Sequence, residues 1–103
     1  MRTFDNKTVF LTGAASGIGR ELAKQLAALG CHLYLVDIDE ARLNEVATEL
    51  AVHGKRIWTT VCDLSKPEAV HQMLAECDRR TEVVDAVINN AGVAYYGPTE
   101  AMT

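Results

Sequence analysis

The longest apolar runs in this sequence span only a few residues, far short of the roughly 20 that a membrane-spanning helix needs. Basic charge is also sparse. Ten Lys and Arg stand against fourteen Asp and Glu, for a net charge of −4 at pH 7. Apart from Lys55-Arg56 and Arg79-Arg80 the basic residues are scattered, so no stripe points to nucleic acid. A secretory leader is not expected, because Asp5 and Asn6 interrupt the place where its apolar core would lie. Cysteine is scarce too: Cys31, Cys62 and Cys77 are odd in number and far apart. That suits a reducing cytoplasm better than a disulfide framework. His32, His53 and His71 share no ligand spacing with one another or with the cysteines, so no metal site is expected.

No repeat, low-complexity tract or linker divides the 103 residues, and a single domain over 1–103 is expected. With 49% hydrophobic and 23% charged residues, the chain is globular in composition. A chain of this length buries roughly two-thirds of its unfolded surface. Apolar runs and helical stripes alternate along it. Thr8 to Leu11 is a short apolar run ending in a glycine-rich turn, as a buried strand would be. Ile18, Leu22, Leu26 and Leu29 then form a helical stripe closed by Gly30. Leu33 to Val36 is a second apolar run; Asp39 offers an N-cap, and Leu43, Val46, Ala47 and Leu50 repeat the helical spacing up to Gly54. Ile57 to Val61 is β-rich. Ser65-Lys66-Pro67-Glu68 reads as a capping box opening a helix whose apolar face is Val70, Met73, Leu74 and Cys77. Val83 to Ile88 supplies a fourth strand. The order β-α-β-α-β-α-β predicts a parallel sheet with right-handed crossovers.

The first strand leads into Thr12-Gly13-Ala14-Ala15-Ser16-Gly17-Ile18-Gly19, which opens directly into a helix. Glycines at such positions permit a tight turn, a close backbone approach to a pyrophosphate, and close helix–strand packing. The helix N-terminus adds free N–H groups and partial positive charge. A tight turn that holds no ligand is the lesser alternative that the glycines alone leave open. Asp37 ends the second strand, eighteen positions after Gly19, where a dinucleotide fold places the carboxylate that takes the ribose hydroxyls. A carboxylate there repels a 2′-phosphate, and neither Ile38 nor Ser16 offers the cation that would neutralise one. The balance favours NAD over NADP.

With Asp63-Leu64 after the third strand and Asn89-Asn90-Ala91-Gly92 after the fourth, the chain resembles the short-chain dehydrogenase/reductase family from about Lys7 to Thr103. The resemblance implies a Rossmann-type doubly wound parallel sheet of four strands in the order 3-2-1-4 with three helices, a partial version of the family's longer chain. It implies that Gly13, Gly17 and Gly19 shape the turn and that Ser16 and Ile18 contact the pyrophosphate. Asp63, with the Leu64 backbone, would meet the adenine amino group, and Asn89 to Gly92 (Asn89, Ala91 and Gly92 above all) would line the adenosine ribose side and brace the centre of the sheet. Cys62, just before Asp63, reads more safely as a buried structural thiol.

One part of the family pattern is missing. Its members transfer hydride with a Tyr-x-x-x-Lys pair, whereas the residues four beyond Tyr34, Tyr95 and Tyr96 are Ile38, Thr99 and Glu100. No lysine follows Lys66. The expected function is therefore the NAD-binding half of an oxidoreductase acting on a small alcohol or carbonyl, with no catalytic residue in this chain. A free-standing nucleotide-binding module or inactive remnant is the alternative. A methyltransferase-type fold fits less well, given Asn-Asn-Ala-Gly and Gly-Ile-Gly. Self-association is expected, because one helix cannot cover the second face of four strands.

Overall fold

In the computed structural model, which describes residues 4–90, the sheet is built on two central strands buried along most of their length. All five residues of β1 (Thr8–Thr12) are buried, and so are Leu33 to Val36 of β2 (His32–Asp37). Burial on both faces is what a parallel sheet imposes on its central strands. The remaining elements are α1 (Gly17–Ala28), α2 (Glu40–Leu50), β3 (Ile57–Val61), α3 (Pro67–Arg80) and β4 (Ala86–Asn89). All strand pairs are parallel, as the element pattern predicts, and their order β3-β2-β1-β4 is the one that the resemblance implies. The glycine turn after β1, the end of β2, the loop after β3 and the end of β4 therefore share the carboxyl edge of the sheet. Ala91, Gly92, Tyr95 and Tyr96 lie outside the described residues.

Alternation along the strands builds two cores. On one face Val9, Leu11, Leu33 and Leu35 pack with α1 (Ala23, Leu26, Ala27) and α2 (Leu43, Val46, Leu50). On the other, Phe10, Tyr34 and Val36 pack with Met73 and Cys77 of α3. Phe10 and Tyr34 stack across β1 and β2 with ring centroids 5.4 Å apart, and Tyr34 stacks on Trp58 at 6.2 Å. Arg80 closes over the Tyr34 ring at 5.3 Å. Tyr34 is thus core: its hydroxyl bonds the Thr60 hydroxyl at 2.7 Å, and burial pushes its phenol above the usual range.

Five local readings are corrected. The buried stripe of α1 is Gly19, Ala23, Leu26 and Ala27, while Ile18 and Leu29 are exposed. Three of the four buried residues are small, and at Gly19 the approach is too close for any side chain. The regular turns of α2 end at Leu50, and a 3₁₀ turn carries the chain to Gly54, whose φ of 72° ends it in the left-handed region. β4 begins at Ala86, because Asp85 leaves the strand pattern to accept the Thr8 N–H on its carboxylate at 2.8 Å. Pro67 takes the first position of α3, so its N-cap is Lys66 and not Ser65. On α3, Met73 and Cys77 are buried while Leu74 is exposed.

Candidate dinucleotide site at the carboxyl edge of the sheet

Backbone conformation builds the turn that joins β1 to α1. Gly13 and Gly17 have φ of 67° and 58°, a region where a side chain is strained. Gly19 has ordinary backbone but no room: a Cβ there would lie 1.8 Å from the Gly13 carbonyl oxygen and 2.9 Å from Asn90 Nδ2. The first turn of α1 is thereby pressed onto the end of β1. Asn90 helps to hold it, donating from Nδ2 to the Gly13 carbonyl at 3.3 Å.

The end of this helix is prepared for an anion. Ser16 is its N-cap with extended backbone, yet its side chain makes no capping bond, and the first turn holds no acidic residue. The N–H groups of Gly17, Ile18 and Gly19 have no partner within the helix by its geometry, and the helix dipole adds partial positive charge. Ser16, Gly17 and Ile18 are exposed, Ile18 by 73%. An isoleucine left that open at the rim of a turn provides an apolar wall to anything bound there.

Asp37 anchors the other side. Its Oδ2 accepts the Ala15 N–H at 3.0 Å and its Oδ1 accepts the Asp39 N–H at 2.9 Å. Its backbone carbonyl takes the Cys62 N–H at 3.1 Å. Capping of α2 falls to Asp39, which accepts from the Arg42 N–H at 3.1 Å. Asp37 is therefore released from that duty and faces the turn. It lines a pocket of about 180 Å³ with Gly13, Ile38, Cys62, Asp63, Leu64 and Ser65.

Asp63 receives two bonds on Oδ1, from the Ser65 hydroxyl at 2.6 Å and the Ser65 N–H at 3.0 Å. These bonds hold its carboxyl below the ordinary range, so it presents an ionised acceptor to the pocket. The same hydroxyl is the one expected to cap α3. Cys62 is buried, and burial, with the neighbouring Asp63 charge, pushes its thiol up, in keeping with a structural thiol.

At the end of β4 the Thr12 hydroxyl donates to Asn89 Oδ1 at 2.8 Å, which orients the amide beside the turn. The structure thus gathers Gly13, Asp37, Asp63 and Leu64 around one pocket, while Ser16, Gly17 and Ile18 stand exposed at the start of α1. Gly19 lies beneath the turn and Asn89 at the edge of the next strand. Ala91 and Gly92 belong to the segment outside the described residues. Sequence reasoning did not foresee the bond from Asn90 to the Gly13 carbonyl, or the bond between Asp37 and Ala15. Nothing in residue spacing announces a contact between a strand end and a turn 22 positions earlier. Among the described residues no cluster of His, Cys, Asp or Glu could hold a metal ion. No helix among them is long and apolar enough to cross a membrane.

These residues fit a dinucleotide: an uncapped helix end for phosphates, a glycine that a Cβ would destroy, and a strand-end carboxylate. The family model for short chain dehydrogenases matches residues 7–103. The chain belongs to the short-chain dehydrogenase family.

Among its relatives, the Mycobacterium tuberculosis protein EphD is 39% identical over 94 residues, which are 91% of this chain and 16% of that protein. L-sorbose reductase from Gluconobacter frateurii, solved with NADPH and L-sorbose, superposes with a TM-score of 0.80 at 32% identity, covering 85% of this chain and 34% of that one. A short-chain dehydrogenase/reductase from Burkholderia phymatum, solved with NAD, gives a TM-score of 0.76 at 31% identity, covering 84% and 31%. The chain therefore spans about a third of the length of these two solved relatives, and less of EphD.

Proposed function

We propose that this chain is the dinucleotide-binding portion of an oxidoreductase that moves hydride between a nicotinamide cofactor and a small alcohol or carbonyl, and that it prefers NAD to NADP. One observation carries the preference: the Asp37 carboxylate faces the glycine turn with Ile38 beside it in the pocket. A 2′-phosphate there would meet a fixed negative charge and an apolar neighbour, whereas a ribose diol would meet two acceptor oxygens.

In this reading Gly13, Ser16, Gly17, Ile18 and Gly19 seat the pyrophosphate. Asp63, with the Leu64 backbone, takes the adenine amino group, and Asn89, Ala91 and Gly92 flank the adenosine ribose. The bound nicotinamide supplies or accepts the hydride. No tyrosine here is followed four residues on by lysine, so the 103-residue chain holds cofactor without turning substrate over. Its three cysteines are free and buried, which suits the cytoplasm. We also propose that it self-associates through the β4 side of the sheet.

Titration with NADH and NADPH, followed through quenching of Trp58, tests the preference. NADH should bind more tightly. Replacing Asp37 with Ala should weaken NADH by about tenfold or more, the worth of one charge-assisted hydrogen-bond pair at roughly 1.5–3 kcal/mol, and narrow the preference. Tighter binding of NADPH by the unaltered chain would refute the assignment. A panel of carbonyl substrates tests the second point, with NADH oxidation expected at the background rate. Reproducible turnover by the pure chain would show that another proton donor operates.

A further inference from the structure

An anionic side chain within hydrogen-bonding distance of a phosphate-binding turn is at first sight misplaced. The Asp37 carboxylate repels any phosphate seated on the α1 N-terminus, and its charge alone should weaken binding there. Its bonds suggest why it is nevertheless well placed. Oδ2 accepts from the Ala15 N–H at 3.0 Å, and that N–H lies at the centre of the turn between Gly13 and Gly17. The adjacent Ala14 N–H bonds the Val36 carbonyl at 3.1 Å, so two consecutive turn amides are tied to the end of β2. On the far side, the Asn90 amide holds the Gly13 carbonyl at 3.3 Å. Oδ1 of Asp37 meanwhile holds the Asp39 N–H at 2.9 Å.

A carboxylate has about four lone-pair positions. With one backbone bond on each oxygen, each retains capacity for one more donor. Bracing the turn and accepting a ribose diol therefore do not compete. Asparagine could not substitute, since its single acceptor oxygen meets one of the two N–H groups and its NH2 would face the other.

We propose that Asp37 is a positioning residue for the phosphate-binding turn, acting through the Ala15 N–H, so that one carboxylate couples the adenosine ribose subsite to the pyrophosphate subsite. This rests on the dinucleotide reading of the site and extends it to a group the phosphates never touch.

The test crosses a substitution with a deletion in the ligand. ADP and 2′,3′-dideoxy-ADP are titrated into the chain and into its Asp37→Ala and Asp37→Asn variants. The dideoxy probe has no ribose hydroxyl for Asp37 to bind. If Asp37 braces the turn, the Ala variant should still lose about tenfold in affinity for that probe, with the Asn variant in between. If Asp37 acts only on the hydroxyls, the dideoxy probe should bind as well as before or better, because a repelling charge has gone. That result overturns the proposal while leaving the ribose contact intact.

Amide hydrogen exchange of the unliganded chain supplies a readout that needs no ligand. The Ala14 N–H makes no bond to Asp37, so it should exchange several-fold faster in the Ala variant only if the turn has loosened. Unchanged exchange at Ala14 also overturns the proposal. Should neither nucleotide bind the unaltered chain, the dinucleotide reading fails, and the exchange measurement alone decides the bracing role.

Discussion

Two glycines of one turn are required for different physical reasons, and the difference can be measured. Gly17 sits at φ 58° with nothing within 4 Å of an added Cβ, so alanine there costs conformational strain of about 1–2 kcal/mol and no collision. Gly19 has no positive φ but a Cβ would be driven into the Gly13 carbonyl at 1.8 Å, and backbone has to move to admit it. Gly19→Ala should therefore lose about 2–3 kcal/mol as an overpacked contact and abolish nucleotide binding by lifting α1 off the turn. Gly17→Ala should retain binding within several-fold. Urea unfolding and nucleotide titration of both variants check this; equal losses would mean that the close approach at Gly19 is relaxed at little cost. The spacing of these glycines was legible in the sequence. So was the close packing expected at the third glycine of the motif, Gly19; that Gly17 is needed for its backbone conformation, and that Asn90 shares the contact at Gly19, was not, because both depend on the turn in three dimensions.

Elements followed their local signals where those signals were unopposed and departed where two competed. Asp39 caps α2 as its position suggests. Ser65 could not cap α3, because Pro67 claims the first helical position and the Ser65 hydroxyl is already given to Asp63. A large residue pattern likewise misled in α1: Ile18 and Leu29 carry the hydrophobic signal but face solvent, while Gly19, Ala23 and Ala27, which carry little, face the sheet. Small residues at a close helix–sheet contact are invisible to a periodicity that counts large apolar side chains. At α3 the competition leaves an unused opportunity. Lys66 has the extended backbone of an N-cap but makes no side-chain capping bond, and its positive charge opposes the helix dipole. Lys66→Asp should therefore raise stability by about 0.5–1 kcal/mol, seen as a higher denaturation midpoint with an unchanged slope. A lower midpoint would mean that the lysine makes a contribution greater than a cap would.

At the scale of the whole molecule, the two faces of the sheet are unequally covered. The parallel layers were legible because alternating runs and stripes permit few topologies, whereas the strand order came from the family resemblance; that order with three helices predicted a partly bare face. α1 and α2 together cover one side. Among the described residues, α3 is the helix that packs on the other. Four strands at about 4.8 Å spacing make a sheet roughly 15–19 Å wide, and a helix with its side chains is about 10–12 Å across. The shortfall falls on β4. Val87 lies in register with Phe10 on the α3 side but is 66% exposed, and Val83, just before the strand, is 61% exposed. Among the described residues β4 pairs with β1 alone, leaving backbone donors and acceptors beside that apolar surface, a template for association. The 103-residue chain should accordingly sediment as a concentration-dependent mixture of monomer and larger species. Val87→Lys should weaken that association by about tenfold, since it removes an apolar side chain whose burial on association is worth roughly 1.5 kcal/mol and places a charge at the edge. A thermally robust, monodisperse monomer at high concentration would overturn this, and would mean that β4 and its neighbouring face are covered within a single chain.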